Sequence, residues 1–255
     1  MSKICLMAND YVGLEVAKFL IENGDKIEFL CIHEEDKQKL TTEIIHASRC
    51  EPDRIINARD VMLPMNLERI KNAEIDFIIT VYWAYLLKPE LFNLATKGTV
   101  NFHPALLPIN RGWFPHVHSL IDGTPFGVTL HSLDEGADTG PVWVQKQVFP
   151  DETDNAGTVY KKLQEEIIQL FKDNWNKIRN NDITPIQQDH SKAIYRKKKD
   201  IENLDFIDLD NISGRQLINM LKARTFGNRG FAYFNSQDGK KIYMHLRLGY
   251  EQNFE

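Results

Sequence analysis

A chain of 255 residues that is 42% hydrophobic is long enough to bury a substantial core without staples. Its net charge of −5 supplies no broad basic face, which argues against a general binder of nucleic acid and for a small partner. Its three cysteines, Cys5, Cys31 and Cys50, show no paired metal-ligand spacing and fit a reducing, cytoplasmic setting. The apolar run at the N-terminus is too short for a signal peptide and no membrane-spanning stretch occurs, so a soluble protein with no membrane insertion is expected.

Residues 3–8, 27–32 and 75–81 are short, nearly continuous apolar runs, the pattern of strands buried on both faces of a parallel sheet. Between them, residues 12–21, 40–47 and 67–70 carry apolar side chains at helical spacing. This alternation predicts an α/β fold of Rossmann-like, doubly wound type with a mostly parallel sheet, whose sites lie at the carboxyl ends of the strands. The first strand ends in Ala8-Asn9-Asp10-Tyr11-Val12-Gly13, without the glycines of a dinucleotide-binding turn. Asn9 and Asp10 either bind a polar ligand through their side chains, or one of them caps the following helix.

Further on, residues 98–102 read as a strand, 104–112 as a proline-bounded loop and 113–121 as a short helix. Residues 127–133 and 141–149 read as strands, and 156–178 as a long amphipathic helix. A main domain over 1–180 is expected to close at the polar linker Arg179-Asn180-Asn181-Asp182, leaving 181–255 as a small appendage. In that tail, Ser213-Gly214-Arg215-Gln216 fits a capping box opening a helix at 216–222, and 232–234 and 241–244 flank an Asp238-Gly239 turn. One helix and one hairpin bury little alone, so the tail must pack on the main domain or on a second subunit. The basic run Arg196 to Lys199, followed by Asp200 and Glu202, reads as a solvated turn.

The chemistry concentrates where the strand at 98–102 ends. Alternation puts Asn101 and His103 on one side, and Pro104 halts the ladder, leaving both at the strand's carboxyl end. An amide donor beside an imidazole can stabilise the oxyanion that develops on an attacked carbonyl, and the imidazole can move a proton. Asp138 lies in the loop 131–140, which joins two strands and can fold back over their ends, bringing a carboxylate to His103 or to an attacking amine. Taken singly, His103 reads as a structural histidine and Asp138 as a turn residue; together they point to catalysis. His116 and His118, with His103 and His131, raise a metal hydrolase as a rival. Two histidines two apart on a helix point about 200° apart, which is poor ligand geometry, and no metal is expected.

The run Asn101-Phe102-His103-Pro104-Ala105-Leu106-Leu107-Pro108, with Arg111-Gly112, Pro115, Gly127-Val128-Thr129, His131 and Asp138-Thr139-Gly140, resembles the signature of the folate-dependent formyltransferases. One position departs, where the family's usual serine is Ala105. The resemblance implies transfer of a formyl group from N10-formyltetrahydrofolate, a co-substrate, to a primary amine. It makes Asn101, His103 and Asp138 catalytic: Asn101 and His103 hold the oxyanion, and Asp138 helps strip the amine proton. In the sugar enzymes it makes His103 the general base. It places the pterin beside residues 80–86 and under the 131–138 loop, with Thr80, Tyr82, Leu86, His131, Asp134 and Gly136 as cofactor-binding residues.

The ending over 221–242 resembles the short tail of bacterial nucleotide-sugar N-formyltransferases. It implies a dTDP- or GDP-linked 4-amino-4,6-dideoxyhexose as acceptor, dTDP-4-amino-4,6-dideoxyglucose first, for surface polysaccharide synthesis. Asn9, Asp10, Tyr82, Trp83, Pro104, Arg111, Arg224 and Phe226 are the candidate substrate-binding residues, and a homodimer through residues 190–250 is expected. Tyr82 and Trp83 serve either the site or packing, while Tyr233 and Phe234, in the hairpin, fit packing better. A methionyl-tRNA enzyme would need a larger, more basic C-terminal domain. A formyltetrahydrofolate deformylase, using the same three residues with water as acceptor, stays open, as does a binding module without turnover, against which the intact Asn101, His103 and Asp138 speak.

Overall fold

A computed structural model of the chain describes residues 1–251. In chain order, β1 (Lys3–Ala8), α1 (Asp10–Glu22), β2 (Lys26–Ile32), α2 (Thr41–Ser48), β3 (Ile55–Asn57), α3 (Pro64–Asn72), β4 (Phe77–Val81), α4 (Pro89–Phe92) and β5 (Gly98–His103) come first. They are followed by β6 (Arg111–Gly112), α5 (Pro115–Asp122), β7 (Phe126–His131), β8 (Val142–Val148) and α6 (Ala156–Arg179). The last elements are β9 (Tyr195–Arg196), α7 (Gly214–Ala223), β10 (Thr225–Phe226), β11 (Arg229–Gly230), β12 (Tyr233–Asn235) and β13 (Lys241–Tyr243).

Seven strands form one sheet in the order β3-β2-β1-β4-β5-β7-β8. The pairs β1/β2, β2/β3, β1/β4 and β4/β5 are parallel, and β7 runs antiparallel to β5. This is the doubly wound α/β class that the alternating pattern predicts, with the strand order reversing direction beside β1. β3 and α4 are additions to the sequence reading, since three and four residues are too few to show a period.

The chain divides into two compact units, the first made of Met1–His103, Thr129–Gln145 and Gln164–Gln188, the second of Pro104–Val128, Lys146–Leu163 and the residues from Asp189 onward. In the first unit, Cys5, Met7, Phe29, Cys31 and Ile78 join Ile70, Leu91 and Phe92 in a dry cluster. The second half of α6 builds another aromatic layer. Phe171 lies 5.0 Å from Phe102 and 5.7 Å from Phe19, and Trp175 lies 5.0 Å from Phe77, between ring centroids. Asp25 anchors that helix, because its carboxylate accepts from Trp175 Nε1 at 2.7 Å, Arg179 at 2.8 Å and the Ser2 amide at 2.8 Å. A fully buried carboxylate is tolerated only with this many donors and a cation beside it.

In the second unit, α5 packs against α7, and Ile207, Leu221 and Ala232 form a small cluster with Leu217, Met220, Met244 and Leu246. The expected capping box is present: the Ser213 hydroxyl accepts from the Gln216 amide, and Gln216 Oε1 accepts from the Ser213 amide at 3.1 Å. β12 and β13 pair as a hairpin whose turn contains Gly239 at φ +79°, the left-handed conformation that glycine allows. The basic run differs from the expected solvated turn at its first residue. Arg196 lies on β9, donates to Asn110 Oδ1 at 3.0 Å and pairs with Asp122, and Lys198 stands over the Trp113 ring. An arginine stem can be built into structure while a neighbouring lysine head stays in water.

Candidate active site

The carboxyl end of β5 carries Asn101 and His103, two residues apart and therefore on one side of the sheet. Strand register supplies their neighbours. Thr80 on β4 pairs with Asn101, and Asn101 pairs with His131 on β7, so three polar side chains stand in a row across three adjacent strands. The Thr80 hydroxyl lies 2.6 Å from Asn101 Oδ1, and Asn101 Nδ2 lies 2.9 Å from His131 Nε2. Thr80, His103 and His131 are all buried.

The loop after β7 folds back as expected and brings in Asp138. One carboxylate oxygen lies 3.3 Å from Asn101 Nδ2 and 3.4 Å from His131 Nε2, and the other lies 3.5 Å from His103 Nδ1. Asp138 sits at φ +55°, a strained conformation for a residue other than glycine, and the surroundings hold it there. The Gln188 amide donates to the carbonyls of Asp138 at 2.9 Å and Gly140 at 2.7 Å. At Gly140 a Cβ would lie 1.9 Å from the Ser132 carbonyl oxygen, so the chain can pass only as glycine. The Leu133 amide donates to Thr99 Oγ1 at 2.6 Å, tying the start of the loop to β5. The assembly places an amide N–H and an imidazole beside one carboxylate, the groups needed to meet an oxyanion and accept a proton.

The expected cofactor residues fare differently from one another. Leu86 is 69% exposed and leaves an apolar side chain open after β4, while Tyr82, at φ +54°, is half-buried. Thr80 and His131 turn to Asn101. Asp134 closes its own loop, accepting from the Gly136 amide at 3.1 Å and from Thr139 Oγ1 at 2.5 Å. Gly136 serves the same closure, since a Cβ there would meet Thr139 Oγ1.

Among the expected substrate residues, Asn9 stands at the N-cap of α1 but makes no side-chain cap bond, and its amide is engaged elsewhere. It donates to the Lys37 carbonyl at 3.0 Å and accepts from the Lys39 amide at 2.9 Å, while Asp10 pairs with Lys39 at 2.9 Å. Trp83 has its ring 4.3 Å from that of His33 and packs against the first unit's core. In the second unit, Pro104 is half-buried, and a buried Arg111 places a guanidinium nitrogen 3.2 Å from His190 Nδ1. Arg224 is also buried, with its charge matched by Asp205 at 2.6 Å and its plane over Phe231. Phe226 is 45% exposed, its ring 6.0 Å from that of Tyr160.

His116 and His118 lie buried on α5. Burial, reinforced by the neighbouring charges of His118 and Arg224, pushes His116 down to about 4, so its ring is neutral at ordinary pH. Among the described residues no group of three or more His, Cys, Asp or Glu side chains is placed to hold a metal ion. Sequence reasoning missed Gln188 and the roles of Thr80 and His131. For the latter two, only strand pairing could have revealed them; Gln188 carries no local signal at all.

The formyl transferase family matches this chain over residues 25–173, and the N-formyltransferase dimerization C-terminal domain matches over 200–250. The dTDP-4-amino-4,6-dideoxyglucose formyltransferase of Mycobacterium tuberculosis is 34% identical over 158 residues, covering 61% of this chain and 67% of that one. A 4-N formyltransferase from Francisella tularensis superposes with a TM-score of 0.81 at 27% identity, covering 97% of this chain and 98% of the other. A formyltransferase from Anoxybacillus kamchatkensis, in complex with UDP-4,6-dideoxy-4-formamido-L-AltNAc and tetrahydrofolate, superposes at 0.60 with 26% identity, covering 87% and 98%. The family match spans more than half of the chain and includes the strand and loop that bear Asn101, His103 and Asp138; this chain belongs to the formyltransferase family.

Proposed function

We propose that this enzyme transfers the formyl group of N10-formyltetrahydrofolate to the 4-amino group of a nucleotide-linked amino-dideoxy sugar, dTDP-4-amino-4,6-dideoxyglucose in the first place. The observation that carries the reading is the convergence of Asn101, His103 and Asp138 at the carboxyl end of β5. In the reaction, one amine hydrogen is replaced by CHO and one hydrogen returns to the donor's N10. Asn101 Nδ2–H meets the negative charge that grows on the formyl oxygen as the amine attacks. His103, oriented by Asp138, takes the proton that the amine must lose. Leu86, exposed after β4, offers apolar surface that a pterin can cover.

A nucleotide-sugar acceptor is supported by the mycobacterial and Anoxybacillus relatives, and a small acceptor over tRNA by the net charge of −5, since tRNA binding needs phosphate-neutralising cations. We place the reaction in the cytoplasm, where reduced folates are kept and the free cysteines stay reduced; no helix among the described residues is long and apolar enough to cross a membrane. A homodimer through the tail follows from the match of residues 200–250 to a dimerization domain. The test is to incubate the protein with N10-formyltetrahydrofolate and a panel of dTDP-, GDP- and UDP-linked amino sugars and to weigh the products. Formyl addition to a 4-amino sugar is the expected result; formate as the sole product would replace this reading with a hydrolase.

A further inference from the structure

We propose that His131 is a positioning residue for Asn101: it fixes the side-chain amide with its N–H face, and not its carbonyl, toward the reacting carbon. The inference rests on the reading of Asn101 as an oxyanion donor. An asparagine amide is nearly symmetric in shape, and a half-turn about its last bond would exchange donor for acceptor. In that flipped state Oδ1 would face the growing negative charge and oppose it.

The surroundings decide between the two states. His131 Nδ1 lies 2.8 Å from the carbonyl oxygen of Ser132. A carbonyl only accepts, so His131 donates to it from Nδ1, and in that tautomer Nε2 is the acceptor. Nε2 lies 2.9 Å from Asn101 Nδ2 and takes one of its two hydrogens; the other faces the acceptor-only carboxylate of Asp138 at a longer 3.3 Å and is the one that turns to the formyl oxygen when the donor is bound. Two acceptors on one side require the NH2 there. On the other side Thr80 Oγ1 lies 2.6 Å from Asn101 Oδ1, a length ordinary for O–H···O and short for N–H···O. The chain Ser132 O, His131, Asn101, Thr80 is thus polar-matched at every link in a single orientation. The register of β4, β5 and β7 puts its three side chains in line. Both ring nitrogens of His131 are engaged, so its part is to orient Asn101 and not to touch the formyl donor.

The experiment compares His131→Phe and His131→Gln in the wild-type and Asn101→Ala backgrounds. It measures kcat, KM for N10-formyltetrahydrofolate, the calorimetric Kd of the non-reacting analogue 5-formyltetrahydrofolate, and the melting temperature. His131→Phe keeps the ring and removes the acceptor, and should lower kcat by about 10- to 100-fold while KM and Kd change less than about twofold. His131→Gln restores an acceptor near Nε2 and should recover most of the turnover. In the Asn101→Ala background the histidine change should cost nothing further, because it acts through the amide now absent.

Equal losses in both backgrounds, or a raised Kd for the analogue with kcat intact, would overturn the proposal. If His131→Phe does not fold, His131→Gln carries the test: turnover near wild type supports the acceptor role, and a loss as large as that of Asn101→Ala contradicts it. Should Asn101→Ala itself keep full turnover, the reading of the site fails; should it collapse turnover while His131→Phe leaves kcat unchanged, only the inference about His131 fails.

Discussion

At Asn101 the account depends on one N–H. Asn101→Ala should lower kcat on the order of 10² to 10³ fold, the usual cost of one oxyanion donor, with the melting temperature nearly unchanged because the side chain is half-buried and supports no core. Steady-state kinetics and a thermal scan check both halves, and near-normal turnover would remove Asn101 from the mechanism. A different residue sets a pH dependence of stability. His116 has a folded value of about 4, below its ordinary 6.5, so the unfolded chain binds a proton that the folded chain refuses. Its contribution is complete above pH 6.5 and is lost as pH falls toward 4, on the order of 3 kcal/mol in all. Denaturant midpoints taken across that window should fall with acidification, and His116→Phe should flatten the slope; an unchanged slope would show that His116 is not its source. Asn101 and His103 were legible because strand alternation is local. Thr80 and His131 could not be assigned to Asn101, because their side chains meet it through cross-strand register, a property of pairs lying 21 and 30 residues apart in sequence.

At the scale of elements, the apolar runs announced β1, β2 and β4, and their continuity announced burial on both faces. Their edges moved by a residue or two, as hydrogen bonding and not hydropathy sets them. The loop 131–140 was legible as a return over the strand ends from its glycines, but its fastening by Gln188 was not, since a glutamine in a polar stretch has no period to betray it. The attachment of α6 was equally hidden: Asp25 is the acceptor that binds Trp175 and Arg179 from 150 and 154 residues away. Asp25→Ala would leave those donors and the Ser2 amide facing a methyl group. The expected cost is about 3–5 kcal/mol, the range for breaking a buried pair. Urea unfolding followed by tryptophan fluorescence measures it, and a loss below about 1 kcal/mol would show that water replaces the carboxylate there.

For the whole molecule, the expected boundary near residue 180 meets a chain that divides differently, with Ile186 bridging Val142 and Gln188 holding the Asp138 loop inside the first unit. Removing the tail after Thr184 would therefore strip part of the catalytic support, and point changes test the dimer more cleanly. Ile242 and Tyr243 on β13 are 43% and 61% exposed, apolar surface of the kind that a two-fold contact covers. The protein should be a dimer in light scattering, and Ile242→Glu combined with Tyr243→Glu should make it monomeric; a dimer that survives both changes lies elsewhere.

The central claim, formyl transfer to an amine and not to water, is tested most directly by following release of tetrahydrofolate with and without dTDP-4-amino-4,6-dideoxyglucose, with formyl sugar and formate quantified in the same samples. The account predicts that tetrahydrofolate appears only with the amino sugar, one equivalent for each formyl sugar, and at a rate lowered on the order of 10² fold or more in Asn101→Ala. Release at the same rate without the amino sugar, matched by formate, would contradict it.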